Sequence, residues 1–167
     1  VFDLPAYAQH AKALLATLPD SLQRAVTKAE AARTYDDPGY QNALGQFYAL
    51  YVYRHPVPAD MDSTFATMNA GIYMYMQGPS EFTITGTLKD YDATSFLPEI
   101  SVPTLFTAGE FDEAGPELVR GFAAKVPNAR YVQFPGSGHI TCWDAREENV
   151  RVVRDFLRSV DLPLVRK

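Results

Sequence analysis

The chain has 167 residues and one cysteine, is 47% hydrophobic and 21% charged, and carries a net charge of −5. That length supports one domain with a real core, and the composition excludes a disordered chain. An acidic balance without a basic stripe excludes a nucleic-acid partner, the short apolar runs exclude a membrane span, and the lone Cys142 excludes an intrachain disulfide or a thiolate metal site.

The opening stretch, VFDLPAYAQHAKALLATLPD, lacks a basic segment followed by an apolar one, so it does not have the form of a signal peptide. A cytoplasmic rather than a secreted location is the expectation. The chain opens as if in mid-fold. Leu and Ala at helical spacing predict a helix over 6–18, stopped by LPD. DSLQRAVTKAEAAR predicts a second helix with Asp20 or Ser21 as N-cap. DDPGYQNALGQFYALYVYR predicts a third, capped by Asp36 or Asp37, with Pro38 in the first turn and an aromatic stripe through Phe47, Tyr48 and Tyr51. HPVPAD breaks the pattern. MDSTFATMNAGIYMYMQG predicts one or two short helices ending at Gly78.

The texture then changes. EFTITGTLKDYDATSFL mixes β-branched residues with turn signals, and SVPTLFTAGE is a short apolar run suited to a buried strand. PELVRGFAAKVP predicts a helix and ARYVQFPG a second strand. DAREENVRVVRDFLRSV predicts a terminal helix with Val150, Val153, Phe156 and Leu157 on one face. Strand, helix, strand, helix over 102–160 makes a parallel βαβα unit, the edge of a larger sheet.

Functional groups in open α/β sheets sit on loops at the carboxyl ends of strands. The loop after strand 104–108 presents Glu110, Asp112 and Glu113. The loop after strand 130–134 presents His139 in the run GSGH. Adjacent parallel strands bring these loops within contact range. An Asp that accepts from one ring nitrogen fixes the histidine tautomer and leaves the other nitrogen as a base. Each residue alone is usually an ordinary loop residue; the pairing after consecutive strands is what points to catalysis. Cys142 lacks an orienting motif, and His10 and His55 lack partners at metal-ligand spacing, so neither a metal nor another cofactor is expected.

The segments MQGPSEF, GEFDE and FPGSGHITCWD, after the helical stretch TYDDPGYQNALGQFYALYVYR, resemble the C-terminal portion of the proline iminopeptidase (prolyl aminopeptidase) group of α/β-hydrolases. That group is related to L-amino-acid amidases and proline-amide hydrolases. The resemblance implies an α/β fold class, the C-terminal part of an α/β-hydrolase with an inserted helical cap. Residues 1–80 would be the cap and 81–167 the end of the core. It also implies a Ser–Asp–His triad with Asp112 as acid and His139 as base, and Glu81 and Glu113 as carboxylates that bind the substrate's free amine.

The nucleophile should stand in a G-x-S-x-G elbow. Ser21, Ser63, Ser80, Ser95, Ser101, Ser137 and Ser159 all lie outside such a pattern. GPSEF around Ser80 is nearest, but Phe82 stands where the last glycine should be. The His-Gly-Gly-Pro oxyanion motif is also absent. The expectation is that the nucleophile belongs to an N-terminal α/β-hydrolase portion, either missing here or a separate or cleaved chain. The expected activity is release of an N-terminal residue, proline first, from small peptides or amides. The alternatives are an esterase or other amide hydrolase of the same fold, and an inactive fragment or binding module.

Overall fold

The computed structural model describes residues 1–56 and 58–161. Helix α1 (Leu4–Leu15) starts two residues earlier than its apolar spacing suggests, because the Asp3 side chain accepts from the Ala6 N–H at 2.8 Å. Pro5 falls in the first turn, where a missing N–H costs nothing. Helix α2 (Asp20–Ala32) begins at Pro19 without a side-chain cap. Asp20 lies inside the first turn and acts on the helix dipole instead of serving as the expected N-cap. The helix ends at Arg33, whose φ of 55° closes it in the left-handed region. Helix α3 (Pro38–Tyr51) is capped by Asp37, which accepts from Gly39 N–H at 2.8 Å and Tyr40 N–H at 3.3 Å.

These helices bury Leu18, Leu22, Val26, Ala29, Tyr40 and Phe47 in one cluster. Phe82 closes it, with its ring centroid 5.1 Å from that of Phe47 and 5.7 Å from that of Tyr40. Helices α4 (Ala59–Thr67) and α5 (Ala70–Met76) follow, the second with no buried residue.

The segment after Phe82 is irregular. It makes an isolated antiparallel bridge between Asp3 and Asp92 and a 3₁₀ turn over Thr94–Glu99. Strand β1 (Thr104–Gly109), helix α6 (Pro116–Ala123) and strand β2 (Ala129–Phe134) then form the expected parallel unit, registered from Thr104 against Ala129 to Gly109 against Phe134. The described residues hold a sheet of these two strands. Leu97, Phe122 and Val126 form its core, and Phe2 packs edge-on to Phe122 at 5.6 Å.

The expected terminal helix is α8 (Arg146–Asp161), and a single turn α7 (Thr141–Asp144) precedes it. No residue of α8 is buried. Val150, Val153 and Leu157 are exposed, and Phe156 is half-buried, lining a cleft with Leu105, Tyr131 and Val132. An amphipathic stripe needs a covering surface, and a sheet of two strands is too narrow to supply one.

Candidate active site

The site is assembled where the end of a helix in the first half meets the two strand loops of the second. A helix leaves its last carbonyls without intrahelical partners. Here the loops supply them. The Tyr51 carbonyl accepts from the His139 N–H at 2.9 Å and the Glu113 N–H at 3.3 Å, and the Val52 carbonyl accepts from the Ile140 N–H at 2.9 Å. The end of α3 thus sits between the loop that carries His139 and the loop that carries Asp112 and Glu113. Two glycines allow this approach. A side chain at Gly138 would meet the Tyr51 and Val52 carbonyls at 2.9 Å, and one at Gly109 would meet the Gly138 carbonyl at 2.1 Å.

Asp112 and His139 come together as their placement after adjacent strands suggests. His139 Nδ1 lies 2.8 Å from Asp112 Oδ1. The aspartate is fixed in turn: Oδ1 accepts from the Ala114 N–H at 2.8 Å and Oδ2 from the Gly109 N–H at 3.2 Å. Its side chain is 4% exposed, whereas that of His139 is 48% exposed. The hydrogen bond to Asp112 raises the His139 pKa, against the opposing effect of burial. With Nδ1 committed, Nε2 is the nitrogen left to move a proton.

Beside His139 lies a pocket of about 310 Å³ lined by Leu4, Tyr7, Tyr73, Glu81 and Glu113, among others. The two glutamates meet it in different states. Glu81 accepts from Tyr7 Oη at 2.8 Å, from Gln77 Nε2 at 3.1 Å and from the Tyr73 hydroxyl. Glu113 is 5% exposed, and its Oε2 has no hydrogen-bond partner among the described residues. Burial first, then the neighbouring Glu81 and Asp112 charges, push its carboxyl up to about 9. The Tyr7 and Tyr73 hydroxyls are raised too, chiefly by burial, so both remain donors.

The serines nearest to a nucleophile pattern are structural in this chain. Ser80 is fully buried, bonded to Tyr40 Oη at 2.6 Å and accepting from the Thr83 N–H at 3.1 Å. Ser137 is also buried; its backbone carbonyl accepts from the Phe111 N–H at 2.9 Å, and its Oγ has no hydrogen-bond partner among the described residues. Among the described residues no cluster of three metal-ligating side chains occurs, and no helix is long and apolar enough to cross a membrane. Tyr7, Tyr73 and Gln77 escaped sequence reasoning. Tyr7 sits on a helix with no motif, and Tyr73 falls within an aromatic run from which no single ring stands out.

Residues 12–146 match the alpha/beta hydrolase fold family, and the chain belongs to that family. Within it the chain resembles proline iminopeptidases. It is 33% identical over 158 residues to the proline iminopeptidase of Thermoplasma volcanium, covering 93% of this chain and 54% of the relative. The crystal structure of a Mycobacterium smegmatis proline iminopeptidase superposes with a TM-score of 0.85 at 36% identity, covering 98% of this chain and 56% of the other. That of VinJ superposes with a TM-score of 0.91 at 36% identity, covering 95% and 55%. The chain spans about half the length of these relatives and matches their C-terminal portion. The fold class inferred from the sequence therefore holds.

Proposed function

We propose that this chain supplies the acid, the base and the amine-binding carboxylates of a serine aminopeptidase or amidase of the proline iminopeptidase type. The nucleophilic serine, in a G-x-S-x-G elbow, would come from an N-terminal portion, on the same polypeptide or a separate one. Residues 1–80 would be its cap and 81–167 the end of its core. In this reading Asp112 holds the His139 tautomer. Nε2 takes the serine proton as Oγ attacks the substrate carbonyl, then gives that proton to the departing amine. A water molecule, deprotonated by the same nitrogen, then attacks the acyl-serine carbonyl, and the nitrogen returns that proton to Oγ as the acid leaves.

The single observation that carries the amine-binding role is the buried, unpartnered Glu113 Oε2 in the pocket that His139 also lines. Unpaired, the buried Glu113 carboxyl holds a proton near neutral pH; a substrate ammonium between Glu81 and Glu113 would favour the ionised form and gain charge-assisted hydrogen bonds. A blocked N-terminus would lack them. Proline is the first substrate to test, because the relatives that the chain resembles are proline iminopeptidases.

The test compares kcat/KM for a proline aryl amide and a neutral ester of similar size, using the protein with its N-terminal portion present. Glu81→Gln and Glu113→Gln should each lower kcat/KM on the free-amine substrate by roughly 30-fold or more, about 2 kcal/mol, and leave the ester nearly unchanged. Equal losses on both substrates would favour a general esterase. No hydrolysis of either by the wild type would favour a binding module. Intact-mass measurement under denaturing conditions shows whether the serine arrives on a second polypeptide.

A further inference from the structure

One carboxylate near the site has no part in the chemistry above. Asp144 ends α7, one turn beyond His139, and every donor it meets is a backbone N–H. Oδ2 accepts from the Gly138 N–H at 2.8 Å. Both oxygens accept from the Arg54 N–H at 3.0 Å, and Oδ1 accepts from the His55 N–H at 3.2 Å. Arg54 and His55 belong to the segment that leaves α3, and Gly138 immediately precedes His139. The carboxylate therefore joins two stretches of chain that are also joined by hydrogen bonds to the Tyr51 and Val52 carbonyls.

The consequence for His139 is specific. Gly138 has no side chain, and none could be accommodated there, so the loop cannot anchor itself by packing at that position. Its position is set through peptide groups. The His139 N–H is held directly by the Tyr51 carbonyl, and the Gly138 N–H is held to the same region through Asp144. The Arg54 side chain adds to this join. Its guanidinium donates to the Leu50 carbonyl at 2.8 Å and stacks 3.8 Å over the Phe111 ring, in the loop that carries Asp112. Asp112 is independently fixed by Gly109 and Ala114. The 2.8 Å contact between His139 and Asp112 thus requires the histidine loop to be held as firmly as the aspartate loop.

We propose that Asp144 is a positioning residue for His139, whose carboxylate clips the Gly138 peptide to the segment leaving α3 and so keeps the imidazole in register with Asp112. A carboxylate suits this place because three N–H donors converge on it, and charge-assisted hydrogen bonds are shorter and stronger than neutral ones. An asparagine would turn an NH₂ group toward at least one of those donors. A glutamate would keep the charge on a longer stem.

The inference rests on the proposed function only for its kinetic readout. The experiment uses the protein with its N-terminal portion and the variants Asp144→Ala, Asp144→Asn and Asp144→Glu. NMR follows the titration of the His139 ring; kcat, KM and thermal unfolding are measured alongside. Asp144→Ala should lower kcat about tenfold with KM within about twofold, since a misaligned base weakens the transition state more than substrate binding. The His139 titration midpoint should fall back toward its ordinary value as the Asp112 bond loosens. Asp144→Glu should recover part of both effects. A fall in thermal stability alone, with wild-type titration and wild-type kcat well below the unfolding temperature, would overturn the proposal, as would no change in any readout. If Asp144→Ala does not fold, the Asn and Glu variants decide by the same two readouts. If the wild type hydrolyses nothing, the functional reading fails, and the titration still decides the role of Asp144.

Discussion

The two ends of the pocket hold carboxylates in opposite ways. At the Glu81 end, side chains from α1, from α5 and from the C-cap of α5 surround the carboxylate: Tyr7, Tyr73 and Gln77 all donate to it. At the Glu113 end, backbone holds everything. Asp112 is fixed by two N–H groups, the His139 and Glu113 peptides by the Tyr51 carbonyl, and the Glu113 Oε2 has no donor among the described residues. The first end is the more adjustable, because its donors are separate side chains and one can be lost while the others hold. The second is rigid, because moving a group there breaks backbone hydrogen bonds in two elements at once. In the proposed reading the rigid end holds the proton-transfer pair, where little misplacement is tolerated.

The comparison can be broken at its rigid end first. Asp112→Asn preserves shape but presents the wrong hydrogen-bonding group to His139 Nδ1. It should cut kcat by roughly 10⁴ while circular dichroism remains that of the wild type. A near wild-type rate from a correctly folded variant would remove Asp112 from the chemistry.

Glu113 offers a sharper test, in stability. Its carboxyl is raised from the ordinary 4.5 to about 9, so between those values the folded state binds a proton that the unfolded state does not. Stability from this group is therefore present at low pH and is lost as pH rises through that window, by up to about 1.4 kcal/mol per pH unit. Glu113→Gln cannot titrate. Unfolding followed at pH 5 and pH 8 should show a marked loss for the wild type and a much smaller one for the variant. Parallel pH profiles would mean that the Glu113 end is better solvated, or better paired, than its unpartnered oxygen indicates.

The smallest effect is expected at the adjustable end. Tyr7→Phe removes one donor to Glu81 and leaves Tyr73 and Gln77 in place. KM for a free-amine substrate should rise about fivefold, or about 1 kcal/mol, with kcat nearly unchanged. A collapse in kcat would show that the Glu81 end is as rigid as the other and that its side chains position the reacting atoms.

Much of the architecture was decided locally. The helices over 4–51 follow from apolar spacing, from Pro at first turns and from Asp3 and Asp37 as caps; strands β1 and β2 follow from short apolar runs bounded by Pro, Gly and Asn. Because consecutive parallel strands pair, the contact between the Asp112 and His139 loops was also legible. Glu81 and Glu113 were singled out only by resemblance to a family, since nothing in the spacing of MQGPSEF and GEFDE says that those side chains share a pocket. The single turn α7 lay outside the predicted elements, and the apolar face of α8 was legible while its exposure was not, because periodicity reports which face is apolar and not whether anything covers it.

Three features were decided by tertiary structure alone. The capping of α3 by the loops of His139 and Glu113 depends on main-chain carbonyls, which every residue has and no sequence pattern marks. The clip at Asp144 depends on three N–H groups brought together from distant segments, and a lone aspartate at a helix end looks the same whether or not they are there. The contrast between a well-donated Glu81 and an unpartnered Glu113 depends on burial and on which hydroxyls point inward. Side-chain type and period are properties of a residue and its near neighbours, and the chain states them directly. Hydrogen-bond satisfaction and desolvation belong to a volume of space, and they acquire values only once distant segments have filled it.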